Sequence, residues 1–449
     1  MDFYHFNFAA FVLINSALAF YQTRCRQIPA AGSLEGKGNH TAGAVKRFKM
    51  RFLPIYLLVN GADWLQGPYI YPIYKEEKQL PEGVVAALFM IGFIAAAVSA
   101  TFTGTLADRY GRRRACLAFC LIYSLSCASL LSNNIVILFA GRCLGGMSAT
   151  LMYTVFESWM VTEFNKVLPD EPAGTLSSIF STMTSLNTLV AILMGLLAEG
   201  AVNVTKTQLT PFGLSVCCLM LAFVGISSTW GENFGTSGEQ AGESAQGLLE
   251  RQEAPPTKSV LSYLLHDKRI LSLSLTSCVF EGSMYIFIFF KFPALIFSHK
   301  LAGQTSDLPF GLIFANLMCA MMFGSMIYNY VTSINAVVTT TRLLVTTLSL
   351  ASLCFCIPVI IRDERTTFWC FCVFEVCCGI YFPLIAYQRG KIIDDSVRAR
   401  LYSIMRIPLN VFVVAVLGTT REGEAHRDLV FLICSGLLVG ASLANSILL

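Results

Sequence analysis

The chain has 449 residues, of which 55% are hydrophobic and only 13% charged, with a formal net charge of +4. A soluble domain carries roughly a quarter charged residues, so a disordered chain, a secreted disulfide scaffold and an ordinary soluble enzyme are excluded, and the charge is too small to indicate nucleic-acid binding. The mean hydropathy of +0.62 is that of a protein whose solvent is mostly lipid.

A helix needs about 20 mostly apolar residues to cross a bilayer. The first such stretch covers residues 3–21. Ala17-Leu18-Ala19 resembles a signal-peptide cleavage site, but residues 1–7 hold no Lys or Arg and the basic residues all follow the stretch. That order favours a retained helix with its N-terminus outside. Twelve more apolar segments follow at 52–74, 83–107, 115–132, 135–162, 175–200, 209–230, 270–298, 308–333, 335–361, 367–388, 401–418 and 429–449. Two connections are long. Residues 22–50 are basic, and residues 231–266 are rich in Gly, Ser, Glu and Gln with Pro255-Pro256 near the end, a composition that cannot bury enough apolar surface to fold alone. The expected organisation is an N-terminal transmembrane helix and basic cytoplasmic loop (1–50), a six-helix bundle (51–230), a cytoplasmic linker (231–268) and a second six-helix bundle (269–449).

Placing residues 22–50 in the cytoplasm and letting the spans alternate puts 20 of the 32 Lys and Arg residues in inner connections and 8 in outer ones. The positive-inside rule supports that orientation. The glycosylation pattern Asn203-Val204-Thr205 falls outside, although Asn39-His40-Thr41 matches as well and falls inside.

Charged residues inside spans are the candidates for function, because a charge at mid-bilayer costs at least ~2.5 kcal/mol. Arg342, Glu157 and Glu199 lie near span ends, and Lys291 is expected to snorkel to the outer boundary. Asp63, Arg142, Glu281, Glu375 and Arg406 lie deeper, as functional groups or as buried structural ion pairs. The 16 cysteines lie mostly in apolar runs without His support and read as small hydrophobes. No metal or other cofactor is expected.

The halves repeat. Asp63 lies twelve residues past Arg51, and Glu281 twelve past Arg269. Depth pairs Arg142-x-x-x-Gly146 with Glu375-x-x-x-Gly379. Two similar halves with polar groups near the midplane are a common transporter plan. The sharpest motif is Gly104-Thr-Leu-Ala-Asp108-Arg109-Tyr-Gly111-Arg112-Arg113. Its glycines suggest close helix approach, and its acid beside a basic turn suggests charge pairs that hold one state and release in another. A topogenic anchor would explain the arginines alone.

This motif resembles the cytoplasmic signature of the major facilitator superfamily, and Gly141-Arg142-x-x-Gly145-Gly146 resembles that superfamily's fourth-helix motif. The second half's counterpart, around 324–332, has lost its charges. The strings Ala62-Asp63-Trp64-Leu65-Gln66-Gly67-Pro68-Tyr69, Phe156-Glu157-Ser158-Trp159, Trp230-Gly231-Glu232-Asn233, Phe280-Glu281-Gly282-Ser283, Cys378-Gly379-Ile380-Tyr381-Phe382-Pro383 and Arg406-Ile407-Pro408 narrow the resemblance to the eukaryotic molybdate-anion transporters. The resemblance implies an all-α polytopic membrane protein of the major facilitator fold, two pseudo-symmetric six-helix bundles plus one extra N-terminal transmembrane helix. It implies uptake of molybdate or a related oxyanion by alternating access, at the plasma membrane.

Molybdate carries two negative charges and offers only acceptor oxygens, so its site needs Arg forks and neutral donors. Arg142 and Arg406 are the expected forks, facing one cavity, with Asn187 and Asn410 as donors and Ser148, Thr150 and Thr184 as further polar candidates. Asp63, Glu281 and Glu375 are expected to balance those cations in the empty carrier or to carry a coupling proton; both roles stay open. Gly104, Asp108, Arg109, Gly111, Arg112 and Arg113 are the expected gating set. A carrier for sulfate, a sugar or a drug, and a non-transporting receptor, are the alternative readings. An enzyme is not expected: there is no nucleotide loop, no Ser/His/Asp set and no metal-ligand cluster.

Overall fold

The computed structural model describes residues 3–26, 38–169, 173–234, 267–304, 307–334, 338–392, 395–420 and 423–448. Among them regular structure is entirely helical. The helices are α1 (Phe3–Arg26), α2 (Gly38–Gln66), α3 (Glu82–Ala100), α4 (Thr103–Tyr110), α5 (Arg112–Ser129), α6 (Ile135–Val167), α7 (Ala173–Thr205) and α8 (Thr210–Thr229). After the linker come α9 (Lys268–Leu301), α10 (Phe310–Ile334), α11 (Val338–Ile360), α12 (Glu364–Ile392), α13 (Asp395–Gly418) and α14 (Glu424–Leu448). Ten of these are long and apolar enough to cross a membrane. The other three long helices are more polar: α5 opens on Arg112-Arg113-Arg114, α13 is apolar only over Ile407–Gly418, and α2 carries basic residues through its first half.

Two expected spans are corrected. The segment 52–74 starts earlier and stops at Gln66, because Gly67-Pro68 follows and proline has no N–H to continue the ladder. The chain then makes a short turn of helix, Ile70–Pro72, and a π-helical turn, Ile73–Glu77. The segment 83–107 is broken at Thr101-Phe102. The Thr101 hydroxyl donates to the Val98 carbonyl at 2.7 Å and Phe102 leaves the helical region with φ −127°, so α4 is a separate eight-residue helix.

The chain forms two compact units, one of 27–79 and 91–251, the other of Met1–Arg26, Leu80–Met90 and Gln252–Leu449. In the first, Trp159, Trp230, Phe52, Phe119 and Phe156 are buried together. Trp159 and Trp230 stack with centroids 3.8 Å apart, and Phe52 stacks on Trp230 at 5.7 Å. In the second, Phe280 stacks on Tyr381 at 3.9 Å, and Phe287, Phe355 and Phe374 pack edge-on or tilted beside them. The second unit also holds α1. Tyr4 donates to Glu364 at 2.5 Å, His299 shares the other Glu364 oxygen at 2.9 Å, and Asn15 donates to the Cys319 carbonyl at 3.0 Å. In a lipid solvent such buried hydrogen bonds and close packing, rather than apolar transfer, hold helices together.

Candidate functional site

Glycines position the deep arginine of the first unit. The Gly141 carbonyl accepts from Ser126 on α5 at 2.8 Å. A Cβ at Gly146 would run into the Gly92 carbonyl of α3 and stand 3.0 Å from the Ala95 Cβ. α6 is therefore seated against α5 on one side and the α3 backbone on the other. Arg142, one residue past Gly141, lies against α3: a Cβ at Gly92 would be 3.0 Å from its Nη2. Its charge acts on Asp63 of α2 and on Tyr74. Asp63 in turn accepts from the Tyr123 hydroxyl of α5 at 2.5 Å. One cation, one anion and two phenols thus converge from α2, α5, α6 and the turn after α2.

The neighbouring polar candidates divide by what they touch. Asn187 of α7 is half-buried and accepts from Nε1 of Trp64, the residue after Asp63, at 2.9 Å. Thr150 donates to the Ala96 carbonyl at 2.9 Å and accepts from Ser99 at 3.0 Å, so it binds α6 to α3. Ser148 and Thr184 donate to carbonyls one turn earlier in their own helices.

The charged motif builds a second cluster in the same unit. Arg112 grips Asp108 through Nε at 2.8 Å and Nη2 at 2.7 Å. Its Nη1 donates to the Ser158 carbonyl at 3.1 Å and to the Thr162 hydroxyl, joining α4, α5 and α6. Arg113 donates instead to the Ile226 and Ser227 carbonyls, at 3.4 and 2.6 Å, satisfying acceptors at the end of α8. Arg109 is exposed, 5.6 Å from the Tyr110 ring. The start of α5 is capped from far along the chain: the Asn233 carbonyl accepts from Arg112 N at 2.9 Å and the Glu232 carboxylate from Arg113 N at 2.8 Å. A carboxylate there also complements the helix dipole. Trp159 Nε1 donates to the Gly231 carbonyl at 2.9 Å, and Asn233 Nδ2 to the Trp159 carbonyl at 3.2 Å.

The two glycines of the motif differ. Gly111 has φ +108° and a Cβ there would lie 2.5 Å from the Glu232 carboxyl carbon, so both backbone and space require glycine. Gly104 is exposed with nothing within 4 Å of a built Cβ. The expected close approach at Gly104 is therefore corrected; Gly146 makes it instead.

In the second unit, Gly379 repeats the contact of Gly146: a Cβ would strike the Met321 carbonyl of α10. The depth pairing of Arg142 with Glu375 thus follows equivalent helix crossings. Glu281 and Glu375 have basic neighbours within their own unit. Arg389, assigned from sequence to a connection, lies within α12, and its Nη2 donates to Glu281 at 2.9 Å and Ser277 at 2.5 Å. The Tyr381 hydroxyl reaches the same Glu281 oxygen at 3.3 Å. Glu375 is buried within electrostatic reach of Lys291, which is also buried and does not snorkel. Arg406 falls on α13, but its side chain lies outside the described residues; Asn410, one turn on, is half-buried.

Tyr123, the place of Arg389 and the capping role of Glu232 were not legible in the sequence. A tyrosine within an apolar span carries no sequence mark, and the inner end of α12 extends past its apolar run. Among the described residues no group of three His, Cys, Asp or Glu side chains is placed to hold a metal ion.

Comparison with known proteins places this geometry in context. A family model of the MFS type, described as sugar transporters with 12 TM, matches residues 27–366. A molybdate-anion transporter of Danio rerio is 30% identical over 430 residues, covering 89% of this chain and 87% of the relative. One from Xenopus laevis is 30% identical over 397 residues, covering 86% and 81%. Among solved structures, a peptide transporter POT in complex with sulfate superposes with a TM-score of 0.68 at 14% identity, covering 94% of this chain and 97% of that one. The nucleoside transporter NupG gives 0.66 at 12% identity, covering 89% and 98%. At those identities the likeness concerns the fold, which is that of the major facilitators.

Proposed function

We propose that this chain, which belongs to the molybdate-anion transporter family of the major facilitator superfamily, is a secondary transporter that takes up molybdate by alternating access. It is a multi-pass membrane carrier and not an enzyme. The observation that carries the substrate reading is the Arg142 guanidinium, inside the first unit, with Asp63 as its counter-charge. A planar fork suits tetrahedral oxygens, and the dianion is the competitor that displaces Asp63 from it.

In this reading Asp63, held by Tyr123, balances Arg142 while the carrier is empty. Trp64 orients the Asn187 carbonyl, which leaves the Asn187 amide N–H groups for an oxyanion. Asp108, Arg112 and the Glu232 cap form a gate whose ion pair breaks and re-forms during the cycle. Arg406 and Asn410 are proposed as the second half's contribution to binding. The proposed topology has thirteen spans, with the N-terminus outside and the C-terminus in the cytoplasm, and the plasma membrane is the proposed location. The charge distribution between connections supports the orientation.

The test is uptake of labelled molybdate into cells lacking their own carrier, with sulfate, a sugar and a nucleoside as competitors. Saturable uptake blocked by excess molybdate is expected. Unchanged uptake on expression, or stronger block by a neutral solute, would remove the oxyanion reading. Surface biotinylation and end tags probed from both sides check location and topology.

A further inference from the structure

We propose that Gly92 is a positioning residue for anion binding: having no side chain, it lets the Arg142 guanidinium lie against α3 and sets the plane that this fork presents to the oxyanion; the proposal rests on the reading of Arg142 above. Gly92 is buried in α3, and Arg142, on α6 of the same unit, is half-buried. The three atoms nearest to a Cβ built at Gly92 all belong to the guanidinium, Nη2 at 3.0 Å and both Cζ and Nε at 3.5 Å. The fork therefore occupies the space that a side chain at position 92 would take. Gly145, on the next turn of α6, borders it as well: a Cβ there would stand 4.0 Å from Nη1 and 3.0 Å from the Ser126 Oγ of α5. Bare backbone of two helices thus beds one cation.

Neither backbone conformation nor helix packing accounts for a glycine at this position. Among the described residues the glycines with positive φ are Gly111, Gly303 and Gly423, so Gly92 keeps ordinary helical backbone, where alanine is the better helix former. The tight crossing of α3 and α6 uses the Gly92 carbonyl, which a Cβ built at Gly146 would strike. Every residue carries that carbonyl, so the crossing requires glycine at 146 and not at 92. What remains is the guanidinium. A long side chain loses rotamer freedom when it is ordered, and a fork already held in place loses less on binding. Its planar N–H donors also meet tetrahedral oxygens at a set angle. The methyl group introduced by Gly92→Ala would press on Nη2 at less than ordinary contact distance, and what gives way is the end of a flexible side chain rather than backbone. The fold is kept and the fork is turned off its bed.

The experiment is molybdate uptake kinetics of the full chain in cells lacking their own carrier, with the thermal midpoint of each purified variant measured beside it. Gly92→Ala should melt at or above the wild-type temperature and keep the maximal rate. Its half-saturating molybdate concentration should rise at least about threefold, the effect of a fork displaced by a fraction of an ångström. In an Arg142→Lys background, where an ammonium on a flexible stem can move aside, the same substitution should leave the half-saturation of the residual uptake unchanged. Should Gly92→Ala fail to assemble, the joint Gly92→Ala, Arg142→Lys variant, which lacks the obstructing group, should assemble and transport like Arg142→Lys alone. Wild-type half-saturation in Gly92→Ala overturns the proposal, and with a lowered thermal midpoint it makes Gly92 a packing residue. An equal rise in both backgrounds, or a joint variant that does not assemble, overturns it too. Wild-type kinetics in Arg142→Lys removes the reading of Arg142, and absence of uptake by the wild type removes the carrier reading; the proposal falls with either, whereas a failure at Gly92 alone leaves both standing.

Discussion

The Glu232 carboxylate accepts a hydrogen bond from the backbone N–H of Arg113 at 2.8 Å, across 119 residues of chain. It stands where a Cβ on Gly111 would have to be, so the cap and the glycine define each other. This contact joins the end of α8 to the start of α5 and holds the turn from which Asp108 and Arg112 meet. The charged loop is thus a built part of the first unit as well as a basic anchor.

Gly111→Ala should destabilise the protein by about 1–3 kcal/mol, the cost of a side chain in a backbone region reserved for glycine. The thermal midpoint of purified protein measures it. Glu232→Ala in the same background should add little, because the cap would already be displaced. Fully additive losses would show that the two positions act separately.

Asp108→Asn should leave abundance and melting nearly unchanged, since the Asp108 side chain is 42% exposed and such a pair contributes at most about 1 kcal/mol. Uptake per molecule should fall severalfold, because the Arg112 grip that distinguishes one state is weakened. Equal uptake per molecule would leave the loop with a topogenic role only.

Arg142→Lys should lower molybdate uptake by at least tenfold, about 1.4 kcal/mol of lost interaction, although the charge is kept. The Arg142→Gln, Asp63→Asn pair should not recover it, since the donor fork remains absent. Robust uptake by that double variant would make the two residues a structural pair and remove Arg142 from binding.

Gly146→Ala and Gly379→Ala should each cost about 1–3 kcal/mol by forcing apart helices whose backbones touch at those points. Melting of each variant checks this, and similar losses are expected in the two units because each glycine meets a carbonyl of the adjacent helix. Gly104→Ala, facing open space, should be neutral or mildly stabilising.

Asp363 precedes α12 and accepts from Thr366 N at 2.9 Å, a cap that holds its carboxyl below the ordinary value of 3.8. The bonds to Thr366 come first among the causes, with Arg365 adding to them. A depressed folded-state value means that the stabilisation is present above pH 3.8 and fades as pH falls through the lower folded value. Asp363→Ala should therefore cost about 1 kcal/mol at neutral pH. The difference in melting between variant and wild type should close in strong acid; a gap that persists there would assign the loss to something other than the cap.

Some of this was written in the chain itself. Low charge density fixed the solvent as lipid, apolar runs located the helices, and an acid beside a basic turn marked Asp108 for a charge pair with Arg112 or Arg113, because all three are local properties. Glycine in the charged motif suggested a close approach at Gly104, whereas packing made it at Gly146. Which partner each buried charge takes was decided only in three dimensions. A helix that is apolar all round has no polar face to show which neighbour a lone ionic side chain meets. Sequence left Arg142 and Arg406 as the cations for the deep acids to balance, whereas packing brings Arg389 to Glu281 and sets Lys291 within electrostatic reach of Glu375. The Glu232 cap was hidden for the same reason: its acceptor and donor are far apart in the chain and meet only when α5, α6 and α8 pack.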